Sequence, residues 1–382
     1  MSATEDTGRL GVAVAVDAAT IEAELTALWK SGADAEAERA VIRACSCNLV
    51  VIARNQREAE ALPPVLVEVA KWHPSRSIIA FRDEAADGAD PRSPIRAWIS
   101  AQCAVPFAGA PEVCCEAIAV AARENALGNL PDTLVSLLVP DLPLFLYWRS
   151  FRLEDRELVE RLAGFADLLI VDSHTSKDDP EGRERSLELL TGAPAGIAVR
   201  DLNWSRITAW RDLVAQFFDA PSARRYLDEI SEVEISRNVA APGNIPTRTL
   251  LLTGWLASRL EWRRISTERR GDDWISLWAA PGGKVTVRFT GIPSESEQAS
   301  GIGSLRLATR SGAEFSVVRD RKSSLMTATA RVDGANLVHS VPDDPMDEAT
   351  LLIRELSLPG EDPSFLAALA EALALEKSFL RR

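Results

Sequence analysis

Short apolar runs alternate with helix-like segments over the first 200 residues, and this alternation constrains the fold more than any other feature of the chain. The apolar runs predict strands at residues 44–53, 77–81, 95–105, 134–139, 144–148 and 168–171. Helical spacing of apolar residues predicts helices between them, at residues 18–31, 63–69, 111–122 and 156–162. Alternation of this kind is typical of parallel sheets, so we expect an N-terminal α/β domain with a mostly parallel or mixed sheet.

The apolar period changes to two after Trp262. Before that point, the spacing predicts a strand at 196–201, helices at 208–218 and 247–260, and a strand at 233–237. After it come seven strand-like segments separated by turn residues, and then helical patterns at 349–356 and 364–375. We therefore expect a C-terminal α/β domain whose sheet is extended by an antiparallel meander, with two closing helices over one face. A polar stretch at 173–196 places the boundary between domains 1–190 and 191–382.

Charge and hydropathy exclude several classes of function. Lys and Arg number 43 against 56 Asp and Glu, which gives a net charge of −13, so nucleic acid is not an expected partner. The most apolar stretch, residues 130–148, contains two aspartates and three prolines, so no membrane span is expected. The first ten residues lack the pattern of a secretory signal, and the five cysteines are odd in number. These features predict a cytoplasmic protein whose cysteines are mostly thiols.

Motifs for catalysis or cofactor binding are missing from the sequence. No GxxxxGK[ST], HExxH or paired CxxC string occurs. Of the three histidines, His73 fits a structural or capping role better than that of a general base, His174 has no acidic or cysteine partner at a recognisable spacing, and His339 lies in a predicted strand. The nearest dinucleotide fingerprint, at residues 301–306, lacks its third glycine and precedes a strand. We therefore expect no cofactor, no metal and no enzymatic activity.

Two groups of residues remain open to more than one interpretation. Cys45 and Cys47 are predicted to share one face of a strand, and Cys114 and Cys115 to begin a helix. All four are candidates for redox chemistry, although packing in the core is the commoner role of such thiols. Asp141, Asp172 and Asp201 are placed at predicted strand ends, where helix or turn caps and ligand sites both occur.

Four strings of residues resemble a known family in the order in which they occur. They are LVPDLPLFLYWR at 138–149, DLLIVDS at 167–173, DLNWSRITAWR at 201–211 and GWLASRL at 254–260. Shorter upstream segments agree with them, at residues 43–49, 73–76 and 115–116. Together they resemble the OpcA family of glucose-6-phosphate dehydrogenase assembly proteins. The sequence departs from the family pattern at Glu261, where a glycine often precedes the tryptophan, and at Tyr147, Ser150 and Ala209.

The resemblance implies a non-catalytic protein that binds glucose-6-phosphate dehydrogenase and promotes its active oligomeric form. Trp and Arg residues in the family strings are candidates for partner binding because these two types dominate interface hot spots, and we assign that role to Trp148, Arg149, Trp204 and Arg206. In the competing interpretation, Arg149 pairs internally with Asp141 or Asp201. The alternative function is an enzyme or sensor that binds a sugar phosphate or nucleotide at the strand ends, with Arg149 or Arg206 as the anion anchor.

Overall fold

The computed structural model describes residues 14–16, 20–35, 41–83, 95–105, 107–149, 156–176, 180–239, 245–293, 301–320 and 322–380. The helices in this part of the chain are α1 (Ile21–Ala35), α2 (Gln56–Glu60), α3 (Pro63–Ala70), α4 (Leu130–Ser136), α5 (Arg156–Ala163), α6 (Pro180–Thr191), α7 (Leu202–Arg206), α8 (Thr208–Gln216), α9 (Thr247–Arg259), α10 (Glu348–Ser357) and α11 (Pro363–Leu380). Among them, none combines the length and the apolar character that a bilayer crossing needs.

Two sheets account for the strands of the described residues. The first contains β1 (Val14–Val16), β2 (Val41–Arg43), β3 (Cys47–Ala53), β4 (Ser75–Arg82), β5 (Ile95–Ala104), β6 (Glu112–Ala122), β7 (Leu144–Trp148), β8 (Leu168–Val171) and β9 (Ala198–Asp201). The second contains β10 (Ile230–Val239), β11 (Arg263–Arg270), β12 (Asp273–Ala280), β13 (Gly283–Pro293), β14 (Gly301–Thr309), β15 (Glu314–Asp320), β16 (Leu325–Val332) and β17 (Ala335–Pro342). A two-domain α/β fold, as predicted, describes the chain.

The chain divides into two compact units, each assembled from three segments. Unit 1 contains Met1–Thr175, Ala193–Arg200 and Asp347–Glu361, and unit 2 contains Ser176–Gly192, Asp201–Met346 and Asp362–Arg382. The domain boundary that the sequence places near residue 190 stays a prediction. The units themselves exchange short segments, among them α6 and α10.

Unit 1 is organised by a mostly parallel sheet with the strand order β1-β5-β6-β4-β3-β7-β8-β9, and β2 pairs with β6 beside this path. Strands β6, β4, β3, β7 and β8 run parallel, whereas β5 is antiparallel to β6 and β1 is antiparallel to β5. Every residue of β3 and β8 is buried. Burial on both faces is what a parallel sheet requires, and it explains their unbroken apolar runs.

Two predictions within unit 1 are wrong. The predicted strand at 134–139 overlaps helix α4, which begins with Pro131 in its first turn and buries Leu130 and Leu134, one turn apart. The predicted helix at 111–122 is strand β6, which lies between β5 and β4. Its many alanines are compatible with either structure, and pairing on both sides decides for the strand.

Unit 2 contains the predicted meander. Its sheet has the order β11-β12-β13-β10-β14-β15-β16-β17, and only β10 and β13 are parallel among the described pairs. Helix α11 packs along α9 and α6, while α9 contacts β14 and α8 contacts β15. Of the two predicted closing helices, α11 belongs to this unit. Helix α10 does not, because it packs on α3 within unit 1, so its expected place over the meander is wrong.

Candidate functional site

Trp148, predicted to bind the partner, ends strand β7, and Arg149, predicted to do the same, directly follows it in unit 1. The Trp148 side chain is 1% exposed. Arg149 donates from Nε to Glu348 Oε1 at 2.7 Å and from Nη2 to Glu348 Oε2 at 3.1 Å, which is a bidentate pair. A second carboxylate, Glu58, lies 3.8 Å away from the same guanidinium. Arg149 therefore pairs internally, as the competing interpretation expects, but with Glu348 and Glu58 in place of Asp141 or Asp201.

Glu348 also binds the tyrosine that precedes these two residues. Tyr147 donates its hydroxyl hydrogen to Glu348 Oε1 at 2.8 Å. Burial raises the pKa of the Tyr147 phenol well above its usual range, and the charges of Asp172 and Glu348 raise it further. The phenol is therefore a neutral donor at physiological pH. This geometry makes Tyr147 and Arg149 anchors for the first turn of α10.

Further contacts hold the rest of α10 against unit 1. The buried Glu355 lies 3.4 Å from Arg200 Nε, and Arg200 also donates to the carbonyl of Gly360. In the same last two turns of the helix, His73 Nε2 lies 3.2 Å from the Ile353 carbonyl oxygen and 3.1 Å from Ser357 Oγ. This arrangement was not predicted from the sequence. Glu348 and Glu355 are seven residues apart and so share one face of the helix, but this spacing does not show which residues that face contacts.

Trp204 and Arg206 lie in α7 of unit 2. The Trp204 side chain is 4% exposed, and its indole Nε1 donates to Asp362 Oδ2 at 2.8 Å. The guanidinium of Arg211 stacks 3.6 Å from the Trp204 ring centroid. Arg206 is half-buried and donates to Asn203 Oδ1 at 3.2 Å. The structure thus places Trp148 and Trp204 inside their units, and the partner-binding role of all four residues stays a prediction.

Two of the three aspartates predicted at strand ends are found there: Asp172 directly follows β8 and Asp201 ends β9, whereas Asp141 lies in the turn between α4 and β7. Asp201 accepts a hydrogen bond from the Asn203 amide at 2.9 Å and caps α7, and Asp172 accepts one from the His174 amide at 3.1 Å. Asp141 is exposed and has a positive φ of 62°. The capping interpretation is therefore confirmed for Asp201. Within the residues that the structure describes, no His, Cys, Asp and Glu side chains cluster in a way that could hold a metal ion.

The cysteines gather near the start of β3 and β6 and differ from the expectation in three ways. Cys103 and Cys114 lie opposite each other on β5 and β6 and form a disulfide, so Cys114 is not a free thiol. Cys115 follows it in a strand instead of beginning a helix. Cys45 is exposed and precedes β3, whereas Cys47 is buried within it, so these two do not share a strand face. A redox role for Cys45, Cys47, Cys114 and Cys115 stays a prediction.

The short upstream strings of the family meet in one buried charge network. Arg76 donates to Glu116 Oε2 at 2.7 Å and to the Leu137 carbonyl oxygen at 2.8 Å, and it also pairs with Glu22. Glu116 accepts further hydrogen bonds from Arg43 and, at 2.8 Å, from Trp29 Nε1. The charged residues of these strings therefore have a structural role. Their charged side chains join α1, β4 and β6 near the edge at which the parallel strands begin.

That amino edge of the sheet also carries the exposed apolar side chains of unit 1. Trp72 is 69% exposed and lies three residues before β4, and Phe165 lies three residues before β8. Phe107, 71% exposed, lies in the turn that leads into β6. The set of large apolar side chains exposed at this edge, here called the amino-edge set, comprises Ile42, Trp72, Val105, Phe107, Phe165 and Leu358.

The amino-edge set was not predicted from the sequence. All ten tryptophans lie in the described part of the chain, and only Trp72 is exposed. Five strand spacings separate β5 from β8, so the set extends over about 24 Å. Exposed aromatic residues along one edge are the kind of side chain that contributes hot spots to protein interfaces. The tryptophans predicted to bind the partner were those in the family strings, and the sequence does not show which tryptophans are exposed.

Comparison with protein families matches both halves of the chain. Residues 66–188 match the model described as the glucose-6-phosphate dehydrogenase subunit N-terminal domain, and residues 197–369 match the model of the C-terminal domain of the same subunit. Both matches occur in the expected order and together cover most of the chain.

Three curated relatives carry the same description. A protein of Nostoc punctiforme, provisionally described as OxPP cycle protein OpcA, is 34% identical over 236 residues, which is 60% of this chain and 48% of that protein. Proteins with the same description from Synechocystis and Synechococcus elongatus are 35% and 32% identical over 40% and 52% of this chain, and over 31% and 44% of their own length. The chain thus spans about half the length, or less, of the curated relatives it matches.

A crystal structure from Parabacteroides merdae, provisionally described as an oxidoreductase, overlaps 88% of this chain and 98% of its own, with a TM-score of 0.48 and 10% identity. Similarity at this level carries no information about shared chemistry.

Proposed function

Because the chain belongs to the OpcA family of glucose-6-phosphate dehydrogenase assembly proteins, we propose that it binds glucose-6-phosphate dehydrogenase and acts in the oxidative pentose phosphate pathway. The finer proposal is that it is a non-catalytic assembly factor, or allosteric activator, which promotes the active oligomeric form of the dehydrogenase and so supports NADPH production. The observation that carries the proposal is the ordered match of both family domains to one chain.

The charged residues of the family strings support a non-catalytic role. Arg149 is engaged by Glu348 and Glu58, and Arg76 is engaged by Glu116 and Glu22. An arginine with two carboxylate partners is poorly available to a phosphate ligand, because the anion would have to displace them. The alternative function, a sugar-phosphate or nucleotide site at the strand ends, would need that displacement at Arg149.

We place the surface that contacts the dehydrogenase at the amino-edge set. Trp72 lies next to the family string at residues 73–76, and the string itself is tied to α10 through His73. A rigid scaffold thus carries the exposed indole, and little conformational freedom of the backbone has to be lost when a partner covers it. Trp148 and Trp204, by contrast, would have to leave their buried positions to touch another protein.

The decisive experiment measures the activity and the mass of the host dehydrogenase with and without this protein. We expect co-elution of the two proteins, a larger oligomer and higher activity. Trp72→Ala should weaken these effects about tenfold or more. Ile265→Ala, which removes an exposed apolar side chain from β11 in unit 2, is the matched control and should change nothing. Arg206→Ala tests the sequence-based assignment in the same assay.

Two outcomes would contradict the proposal. If the dehydrogenase neither binds this protein nor responds to it, the assembly role is wrong. If calorimetry on the protein alone shows micromolar binding of a sugar phosphate or a nicotinamide nucleotide, and this binding is lost in Arg149→Ala, the alternative function is favoured instead.

A further inference from the structure

Strand β17 ends the sheet of unit 2 and has no strand beyond it among the described residues. Six of its eight residues, from Ala335 to Ser340, are exposed in succession, so both faces of the strand are open to solvent. Leu337 and Val338 are 68% and 61% exposed. An exposed strand of this length with apolar side chains offers a row of backbone donors and acceptors to another strand.

The opposite edge of the same sheet is protected, which shows that the open edge is not a general property of this unit. Strand β11 has the sequence RRISTERR, with four arginines and one glutamate in eight residues. Charged side chains on an edge strand oppose pairing with a further strand. Strand β17 has the sequence ANLVHSVP and contains no Lys, Arg, Asp or Glu. One edge is therefore blocked by charge and the other is left uncharged.

The hairpin geometry shows which backbone groups of β17 face outward. Asp333 and Gly334 have φ of 51° and 78°, and they form the two-residue turn between Val332 and Ala335. In such a hairpin the residues that flank the turn bond to each other, and alternate residues bond across the ladder from there. The amide of Asp343 donates to Ser324 at 2.8 Å, so odd-numbered residues face β16. The amides of Asn336, Val338 and Ser340 therefore face the free edge.

We propose that β17 pairs in antiparallel fashion with β17 of a second copy of this chain, across a two-fold axis at Val338. In this register Asn336 lies opposite Ser340, Leu337 opposite His339, and Ala335 opposite Val341. All three outward amides are then bonded. Pro342, which has no amide hydrogen, lies opposite Gly334 at the end of the ladder, where no donor is required. Two sheets of eight strands become one continuous sheet.

A second copy is the occupant that fits this edge because the strand is complementary to itself. Its uncharged length allows it to lie opposite its own sequence without placing like charges together. The surrounding half of the chain is also close to neutral, since residues 194–382 contain 24 Lys and Arg and 25 Asp and Glu, whereas residues 1–193 contain 19 and 31. A single strand pair buries a small area, so the dimer is weak and depends on concentration.

Sedimentation of the protein alone, over about a hundredfold range of concentration, tests the proposal independently of the dehydrogenase. We expect the mass to rise from one chain toward two. Val338→Lys and Val338→Asp each place like charges opposite each other at the axis and should weaken self-association about tenfold or more. A mixture of the two variants should restore it as a heterodimer. Ile265→Lys, on the protected edge, is the matched control and should associate like the unmodified chain.

Hydrogen exchange on the unmodified chain gives a readout that does not depend on variants folding. The amides of Asn336, Val338 and Ser340 should exchange more slowly at high protein concentration than at low concentration, whereas amides of β11 should not change. The proposal is overturned if the chain stays monomeric over the whole range, if the mixed Val338 variants stay monomeric, or if the three amides exchange at one rate at every concentration.

Discussion

Glu261 occupies a backbone conformation that suits glycine. Its φ is 56°, and it follows the last turn of α9. The Trp262 amide donates to the Ala257 carbonyl oxygen at 2.8 Å, which is the six-residue hydrogen bond of a Schellman motif. The residue at the left-handed position of this motif is most often glycine, because a Cβ atom there is strained. The departure from the family pattern noted in the sequence therefore has a physical cost.

Glu261→Gly should raise the free energy of unfolding by about 0.5–1 kcal/mol. The free energy gained by relieving the left-handed strain exceeds the free energy lost because glycine raises the conformational entropy of the unfolded chain. Urea denaturation measures the change, and Glu268→Gly within β11 should instead destabilise the protein. A lower stability for Glu261→Gly would show that its side chain contributes more than the strain costs.

Buried thiols predict a loss of stability at alkaline pH. Burial raises the pKa of Cys47 from 9.0 to about 12 and that of Cys115 to about 11. Between pH 9 and these values the unfolded thiols lose protons while the folded ones keep them, so stability falls as the pH rises. Below pH 9 both states are protonated and this dependence disappears. Each thiol contributes up to about 1.4 kcal/mol per pH unit within its window.

Comparison with Cys47→Ala isolates this contribution. The variant is expected to be less stable at pH 8 because of its cavity, but its stability should fall less steeply between pH 9 and 11 than that of the unmodified protein. Equal slopes for the two proteins would mean that Cys47 ionises as easily in the fold as in the unfolded chain.

At the scale of elements, Gly254 sets the distance between two helices. An added Cβ atom would lie 2.2 Å from the Ala368 carbonyl oxygen and 3.1 Å from the Ala372 amide nitrogen, both of which are backbone atoms of α11. Helices α9 and α11 therefore approach each other at a point where only glycine fits. This gives a packing reason for the first residue of the family string at 254–260.

Gly254→Ala should destabilise the protein by about 1–3 kcal/mol, although alanine is the better helix former by about 1 kcal/mol. Separation of α9 and α11 is the only way to admit the methyl group, since backbone atoms cannot rotate away. Ser258→Ala, one turn later on α9, serves as the control and should change stability by less than about 0.5 kcal/mol. Equal denaturation midpoints for the two variants would refute the close approach.

The sequence predicted most of the elements and failed where local pattern is ambiguous. Buried strands such as β3 and β8 are unbroken apolar runs, and the two-residue period after Trp262 could only be a meander. Strand β6 was predicted as a helix and helix α4 as a strand, because alanine-rich runs and short apolar runs occur in both kinds of element. Pairing with neighbouring strands decides between helix and strand, and a short stretch of sequence does not show that pairing.

The candidate site was less accessible from sequence than the fold. Trp and Arg types pointed to Trp148, Arg149, Trp204 and Arg206, but residue type does not reveal burial, and both tryptophans are internal. Glu348, the partner that Arg149 and Tyr147 share, lies about 200 residues further along the chain, in α10. No spacing rule connects residues at that separation, so the role of Glu348 could be found only from the structure.

At the scale of the whole molecule, unit 1 depends on a segment from the end of the chain. Helix α10 supplies Glu348 to Arg149 and Glu355 to Arg200. A fragment that ends at Arg200 contains both arginines and neither carboxylate. Arg200 is 2% exposed, so the fragment would bury an unpaired charge.

We therefore expect the fragment 1–200 to lack a cooperative thermal transition and the near-ultraviolet dichroism of packed tryptophans. A synthetic peptide that spans residues 345–362, added to the fragment, should restore both signals. The same peptide with Glu348→Ala and Glu355→Ala should not. Cooperative unfolding of the fragment alone would show that the sheet of unit 1 is complete without α10.

The late position of α10 in the sequence also delays the completion of unit 1 during translation. Unit 1 has its first segment once Thr175 is made and its last only at Glu361, and the difference, 361 − 175, is 186 residues. At roughly 5–20 residues per second, translation takes about 10–40 s to cover that distance. During this interval Arg149 keeps Glu58 but lacks Glu348, and Arg200, once made, lacks Glu355. The surface that α10 covers is also without its helix. A premature stop at any codon before residue 348 would therefore leave the first-made unit without α10, in addition to truncating the second unit.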